Sequence, residues 1–126
     1  MRTTSRSIAL ACLAIMITCL AGVALAVTSF DTSLTISFSR ASGGQFSGRV
    51  KSPKHACIVD RKVTVYRKRS GRDPAVGSDR SNAKGRWRVN PARVAAGNYY
   101  AKTAAIQLQS GAGRCSAARS VTTHAS

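Results

Sequence analysis

The chain has 126 residues, with 20 lysines and arginines against four aspartates and no glutamate, which gives a formal net charge of +16. This length leaves room for one small domain and excludes a multidomain enzyme. Four carboxylates and two histidines supply few groups for acid–base catalysis, while the positive charge predicts attraction to polyanions.

The N-terminal segment has the pattern of a secretory signal peptide. Two arginines precede an apolar run at 8–26, and the run ends on Ala-Leu-Ala, a small-x-small cleavage pattern. A membrane span is less favoured because the run is short. A lipoprotein acylated at Cys19 is less favoured because Thr18 stands where a smaller residue is usual. We therefore predict a signal peptide at 1–26 and an exported domain at 27–126.

Charge remains the main property of the predicted exported domain. Cleavage would remove two arginines and leave eighteen basic residues against four aspartates, a net charge of +14. The partners expected for such a protein outside the cell are acidic cell-envelope polymers or an anionic membrane surface. The alternative is that the charge only keeps the protein soluble, because the basic residues are spread along the chain.

Two cysteines, Cys57 and Cys115, remain after the predicted cleavage. An even pair in an exported domain predicts one disulfide bond. The alternatives are two free thiols or a metal site, and no CxxC or clustered His/Cys spacing supports the metal site.

Apolar and polar residues alternate with period two in several segments, which predicts strands with one dry face. Turn residues separate these segments at the spacing of a β-sandwich or barrel, and residues 70–85 form a long polar connection with a strand on either side. A sixth strand, less well defined than the others, is expected at 120–123. The five clearer strands are predicted at 34–38, 46–50, 62–67, 86–89 and 99–103, the last extending toward 108.

The alternation also predicts a basic outer surface. If the valines at 63, 65 and 89 point inward together with Trp87, six side chains point outward. They would offer cations and aromatic rings to a polyanion, although any half-buried strand of a basic protein shows the same alternation. The six candidate binding residues are Lys62, Tyr66, Arg86, Arg88, Tyr100 and Lys102.

Two turns are expected to position core aromatics. Asn82 can hold a tight turn through its side chain, Gly85 can take a positive φ, and Trp87 then enters the core. Gly97 allows a tight turn that directs Tyr99 inward.

The segments 62–67, 77–89 and 96–101 resemble the core of a carboxypeptidase regulatory-like or transthyretin-like domain. The resemblance covers about 46–123, and the chain departs from it where Ser81 and Asn82 replace the usual Thr-Asp. It implies a single Greek-key β-sandwich, immunoglobulin-like in architecture, with about seven strands and no catalytic residues. The chain is also similar to small exported proteins frequent in actinobacteria.

The sequence predicts a secreted, non-catalytic β-sandwich that acts as an extracellular or cell-surface interaction module. An alternative is a cationic effector that binds anionic envelope polymers or membranes, and a more distant one is a small hydrolase. His55 beside Cys57 invites a thiol-activation hypothesis, but a disulfide is the better prediction. No nucleophile elbow, phosphate-binding loop or dinucleotide fingerprint is present, so neither a cofactor nor a metal is expected.

Overall fold

A computed structural model describes residues 28–126, where the chain forms short strands and two 3-10 turns. The predicted signal peptide lies outside the described residues. Over residues 28–126 no helix is long and apolar enough to cross a membrane. The strands are β1 (Ser29–Phe30), β2 (Ser33–Leu34), β3 (Ser37–Ser39), β4 (Gln45–Lys51), β5 (Lys62–Arg67), β6 (Ala75–Arg80), β7 (Arg86–Val89), β8 (Gly97–Thr103), β9 (Ile106–Gln107), β10 (Arg114–Cys115), β11 (Ala118–Arg119) and β12 (Thr123–Ala125).

The first sheet is built around β4 and is called the β4 sheet below. Strand β4 pairs antiparallel with β2 and β3 on one side and with β7 on the other. The register sets Phe46 opposite Val89 and Gly48 opposite Trp87. Phe46, Trp87 and Val89 are buried, while Arg86 and the residue between Trp87 and Val89 are exposed. One face of this sheet is therefore dry and the other faces solvent.

The second sheet is built around β8 and is called the β8 sheet. Its order is β11, β8, β5, β6, and β12 also pairs with β8. The register places Val65 opposite Ala101 on the inner face and Tyr66 opposite Tyr100 on the outer face. The alternation seen in the sequence at β5 and β8 thus corresponds to one inner and one outer face.

Two edge strands are interrupted at a residue whose side-chain hydroxyl accepts a backbone N–H in place of a backbone carbonyl. Between β2 and β3, the N–H of Arg49 donates to Thr35 Oγ1 at 2.9 Å, and the N–H of Thr35 donates to Arg49 O at 3.0 Å. Between β11 and β12, the N–H of Ala101 donates to Ser120 Oγ at 2.8 Å. A side-chain acceptor competes with the backbone carbonyl, so the strand breaks there. The continuous strands predicted at 34–38 and 120–123 are therefore wrong in their bounds.

Strand β6 is a further correction, because it lies inside 70–85, where the sequence predicts only a polar connection. Its residues are exposed or half-buried throughout, and Val76 is the only large apolar side chain among them. It pairs antiparallel with β5. Pairing to a neighbouring strand creates β6, since its own residues carry no inward apolar stripe.

A small third sheet joins β1, β10 and β9, with β1 parallel to β10. The 3-10 turn His55–Cys57 lies next to it, and Cys57 forms a disulfide with Cys115 of β10 across a Cα–Cα distance of 5.4 Å. The predicted disulfide is confirmed. It links residues 58 positions apart and joins the turn before β5 to the C-terminal third of the chain.

The two large sheets pack their inner faces together as a β-sandwich, which confirms the predicted fold class. The rings of Phe46 in the β4 sheet and Tyr99 in the β8 sheet lie 4.7 Å apart between centroids. The sheets also approach at their edges, with β6 beside β7 and β12 beside β3. The core extends beyond 46–123 at both ends. Its buried members are Leu34, Phe46, Val50, Val63, Val65, Trp87, Val89, Tyr99, Ala101 and Ala125.

Candidate anion-binding surface

The turn before β7 sets the direction of the arginines that follow it. Asn82 Oδ1 accepts hydrogen bonds from the N–H groups of Lys84 at 2.9 Å and Arg86 at 3.0 Å. Gly85 adopts a φ of 78°, and its carbonyl oxygen accepts the N–H of Val50 at 2.7 Å. A side chain at Gly85 would collide with the backbone oxygen of Val50. The turn therefore needs glycine and starts β7 with Arg86 facing outward.

A groove of about 830 Å³ runs over the outer face of the β4 sheet. Four arginines line it, and they are Arg49, Arg80, Arg86 and Arg88. We call it the arginine groove. Arg49 lies directly opposite Arg86 across β4 and β7, and all four residues are exposed. Like charges in direct opposition on a sheet are destabilising, so this arrangement has an electrostatic cost that an anion would relieve.

Asp79 of β6 is the acidic residue of the groove, and its carboxylate is occupied by backbone groups. Its Oδ1 accepts the N–H of Arg80 at 2.8 Å, and its Oδ2 accepts the N–H of Arg88 at 2.8 Å. This carboxylate bridges the edges of the two large sheets. Across residues 28–126, the one ion pair joins Arg80 to Asp60 at 3.5 Å, with both side chains mostly exposed. Arg49, Arg86 and Arg88 thus have no carboxylate within ion-pair distance in the described chain.

Gly48 and Trp87 also line the groove. Trp87 is only 2% exposed, and its indole N–H is buried with no hydrogen-bond partner among the described residues. A Cβ at Gly48 would lie 2.8 Å from Trp87 Cζ2 and would overlap the backbone oxygen of Thr35. Glycine at this position therefore permits the close approach of Thr35 and of the indole to β4.

The six residues predicted to bind a polyanion do not form one surface. Arg86 and Arg88 lie on the outer face of the β4 sheet, whereas Lys62, Tyr66, Tyr100 and Lys102 belong to the β8 sheet. The groove gathers instead two arginines that the sequence analysis did not single out, Arg49 and Arg80. Nothing in the sequence sets β4 next to β7, because strand neighbours are decided by the tertiary fold.

On the outer face of the β8 sheet, Tyr66 and Tyr100 stack at 5.5 Å between ring centroids. Lys102 Nζ lies 5.9 Å from the centroid of the Tyr66 ring, and Arg119 Cζ lies 3.9 Å from that of Tyr100. Lys62 lies at the exposed start of β5. Like charges oppose each other here too, since Lys102 is the cross-strand partner of Arg119 and Lys62 that of Arg80. Lys102 and Arg119 are engaged with the aromatic rings, however, so this face offers fewer free charges to a ligand.

Tyr100 differs from the expectation of an exposed ring, since only 5% of it is accessible. Tyr66 and Arg119 cover it, and its hydroxyl donates to Asp73 Oδ2 at 2.7 Å. This hydrogen bond, with burial, raises the pKa of the Tyr100 phenol. The backbone N–H of Arg69 donates to Asp73 Oδ1 at 2.9 Å, and this bond, followed by that from Tyr100, lowers the pKa of Asp73. The hydrogen bonds of Asp73 therefore hold the segment before β6 to Tyr100 of β8.

Arg61 is a buried structural cation that the sequence analysis missed. Its side chain is 99% buried, and its guanidinium donates to Cys57 O at 2.9 Å, to Ala104 O at 2.8 Å, to Ser116 O at 3.0 Å and to Thr32 Oγ1 at 3.2 Å. Burial lowers the pKa of this guanidinium. A signal was present, because Arg61 precedes Val63 by two positions and shares its inward alternation.

Tyr99, Gly97 and the two histidines lie outside the arginine groove. Tyr99 is buried, its hydroxyl donates to Ala95 O at 2.6 Å, and Gly97 begins its strand. His55 is exposed, and His124 Nδ1 lies 3.0 Å from Asn98 Oδ1. In the part of the chain that the structure describes, no three His, Cys, Asp or Glu side chains lie together where they could hold a metal ion.

Fold and surface together define the class of this molecule: an all-β sandwich with one disulfide and an arginine-lined groove on one outer face. No family model, curated protein or solved structure matches the chain.

Proposed function

We propose that this protein is an exported, non-catalytic β-sandwich module that binds an anionic polymer of the cell envelope through the arginine groove. The observation that carries the proposal is the cross-strand opposition of Arg49 on β4 and Arg86 on β7 on an open face, with Arg88 two residues after Arg86 on β7. Exposed arginines without carboxylate partners are suited to an external anion, because guanidinium groups pair readily with phosphate, sulfate and carboxylate.

Export is supported by two independent features. The sequence begins with the pattern of a signal peptide, and Cys57 is bonded to Cys115. Disulfides persist mainly in oxidising compartments outside the cytosol. On this proposal, protein recovered from the culture medium begins at Val27, which N-terminal sequencing can check.

The non-catalytic assignment is supported by the roles of three of the four aspartates. Asp73 and Asp79 accept backbone N–H groups, and Asp60 pairs with Arg80. Groups held in this way serve the fold. The resemblance to transthyretin-like and carboxypeptidase regulatory-like domains belongs to the same proposal, since such domains act as accessory modules.

A membrane-active cationic effector has less support. Among the described residues, the exposed large hydrophobic side chains are Ile106 and Val121, which lie on β9 and between β11 and β12. Neither lies in the arginine groove. Insertion into a bilayer needs a contiguous apolar face beside the charge.

The test is binding of the oxidised protein to immobilised dextran sulfate across a range of salt concentrations. The triple variant Arg49→Gln/Arg86→Gln/Arg88→Gln should lose at least about tenfold in affinity, and its salt slope should fall by about 2 to 3. The matched control is Arg69→Gln/Arg72→Gln/Arg93→Gln, which removes the same charge from exposed positions outside the groove. Equal losses in the two variants would show that net charge alone drives binding.

A third variant compares the two outer faces. Lys62→Gln/Lys102→Gln removes two cations from the β8 sheet and leaves the groove intact. We expect a change no larger than that of a two-arginine control such as Arg69→Gln/Arg93→Gln. A larger loss would move the binding surface to the β8 sheet.

A further inference from the structure

We infer that the arginine groove binds a polymer of polyols linked by phosphodiesters, lying along β7. This inference rests on the proposed function, which requires only that the groove binds polyanions. It adds the chemical class of the ligand and the direction in which the ligand lies.

The direction follows from the geometry of the two strands. Arg86 and Arg88 are two positions apart on β7 and both face outward, so their attachment points are separated by roughly 6.6 Å along the strand. Arg49 lies across from Arg86, where opposed Cβ atoms are about 5 Å apart. Arg49 and Arg86 are therefore attached side by side, and Arg88 is attached two residues further along β7.

The cross-strand opposition of Arg49 and Arg86 favours a phosphodiester over a carboxylate. The fork of a single guanidinium matches a planar carboxylate and a phosphate alike. A phosphodiester is tetrahedral, and its two free oxygens point in different directions, so each can accept from a different arginine. All the cations of the groove are arginines, which is the side chain preferred for phosphate recognition.

Neutral polar groups on β3 and β4 flank the arginines of the groove. Ser37, Gln45 and Ser47 line it, and the hydroxyl oxygens of Ser37 and Ser47 lie 3.3 Å apart. Hydroxyl and amide groups can both donate to and accept from the hydroxyls of a polyol. A ligand that carries hydroxyl groups next to its anionic groups can therefore use both parts of the lining.

Two other phosphate-bearing ligands fit the groove less well. Single-stranded nucleic acid is normally held by bases stacked on exposed aromatic rings, whereas the groove aromatic, Trp87, is only 2% exposed. A lipid surface needs apolar side chains next to the cations, and the exposed hydrophobics Ile106 and Val121 are not part of the groove.

The experiment measures binding of the oxidised protein to poly(glycerol phosphate) oligomers by titration calorimetry. The comparison ligands are polygalacturonate and single-stranded DNA of equal charge number, and phosphatidylglycerol vesicles. We expect poly(glycerol phosphate) to bind at least about tenfold more tightly than each of these. Because Arg49 and Arg86 would share one phosphate, a double-mutant cycle of Arg49→Gln and Arg86→Gln should be non-additive, whereas Arg49→Gln and the exposed control Arg93→Gln should be additive.

The outcomes separate the two proposals. If all ligands bind equally, and Arg49→Gln/Arg86→Gln/Arg88→Gln weakens each by the same factor, the groove is a polyanion site and the polyol-phosphate inference is wrong. If DNA, polygalacturonate or the vesicles bind most tightly, the inference is also wrong. If the groove variant binds every ligand as the Arg69→Gln/Arg72→Gln/Arg93→Gln control does, both proposals fail. Thermal unfolding of each variant shows that it is folded before its binding is compared.

Discussion

The guanidinium of Arg61 donates a hydrogen bond of 2.9 Å to the carbonyl oxygen of Cys57, which carries one half of the disulfide. The same guanidinium donates at 3.0 Å to the carbonyl oxygen of Ser116, which follows the other half. A covalent bond and a set of charge-assisted hydrogen bonds therefore join the same two segments. Since a buried charge is tolerated only when it is well hydrogen-bonded, these acceptors hold the segments in one arrangement.

Replacing Arg61 should destabilise the fold. Arg61→Met keeps much of the side-chain volume but leaves the carbonyl oxygens of Cys57, Ala104 and Ser116 without their donor. We expect a loss of about 2–4 kcal/mol in the free energy of unfolding, measured by urea denaturation. The control Arg69→Met, at an exposed position, should change it by less than about 0.5 kcal/mol. Similar values for the two variants would contradict a stabilising role for the buried guanidinium.

The disulfide should contribute a large part of the stability. Cys57→Ser/Cys115→Ser should lower the free energy of unfolding by about 2–5 kcal/mol, because the bond closes a loop of 58 residues in the unfolded chain. Denaturation of the oxidised protein and the double variant measures the difference. Alkylation without reductant should label neither cysteine of the folded protein. Labelling of both would contradict the bond.

Gly85 and Gly71 form a matched pair for testing the turn before β7. Both have a positive φ, 78° and 88°, but a Cβ at Gly71 meets nothing within 4 Å, whereas one at Gly85 collides with the backbone oxygen of Val50. Gly71→Ala should cost about 1 kcal/mol from the left-handed conformation alone. Gly85→Ala should cost at least about 2 kcal/mol more, because backbone must shift. Equal costs in thermal unfolding would show that the contact with Val50 is unimportant.

The Asp73–Tyr100 hydrogen bond predicts a pH dependence at both ends of the range. Because the pKa of Asp73 is lowered by folding, its stabilising contribution is present above the ordinary carboxyl value of about 4 and is lost as the pH falls through the lower folded value. Because the pKa of Tyr100 is raised, its contribution is present below about pH 10 and is lost as the pH rises through the higher folded value.

Thermal unfolding measured as a function of pH checks the loss of stability at both the acid and the alkaline end, called the acid limb and the alkaline limb below. Asp73→Asn should flatten the acid limb relative to the control Asp31→Asn, and Tyr100→Phe should flatten the alkaline limb relative to Tyr66→Phe. Tyr66 is the suitable control because its ring stacks on that of Tyr100, whereas the hydroxyl that donates to Asp73 belongs to Tyr100. Parallel curves for Tyr100→Phe and Tyr66→Phe would rule out the hydrogen bond as the cause.

Period-two alternation was sufficient to predict β4, β5, β7 and β8, because each of these strands turns alternate side chains toward the core. Tyr100 on the outer face of β8 is buried as well, because Tyr66 and Arg119 cover it. The same reasoning missed β6, whose residues bury no continuous face, and could not anticipate the breaks at Thr35 and Ser120, where a hydroxyl replaces a backbone acceptor. Strand β6 forms only because it pairs with β5.

The sequence by itself determined the all-β class, the pairing of the two cysteines left after the predicted cleavage and the outward direction of Arg86 and Arg88, because composition and alternation are local properties of the chain. Only the tertiary structure decided which charges meet. It placed Arg49 against Arg86, put Lys102 on a different sheet, and buried Arg61 beside the disulfide. Alternation predicts which face of a strand a side chain occupies. Long-range pairing decides which strand lies beside it, and no local pattern encodes that pairing.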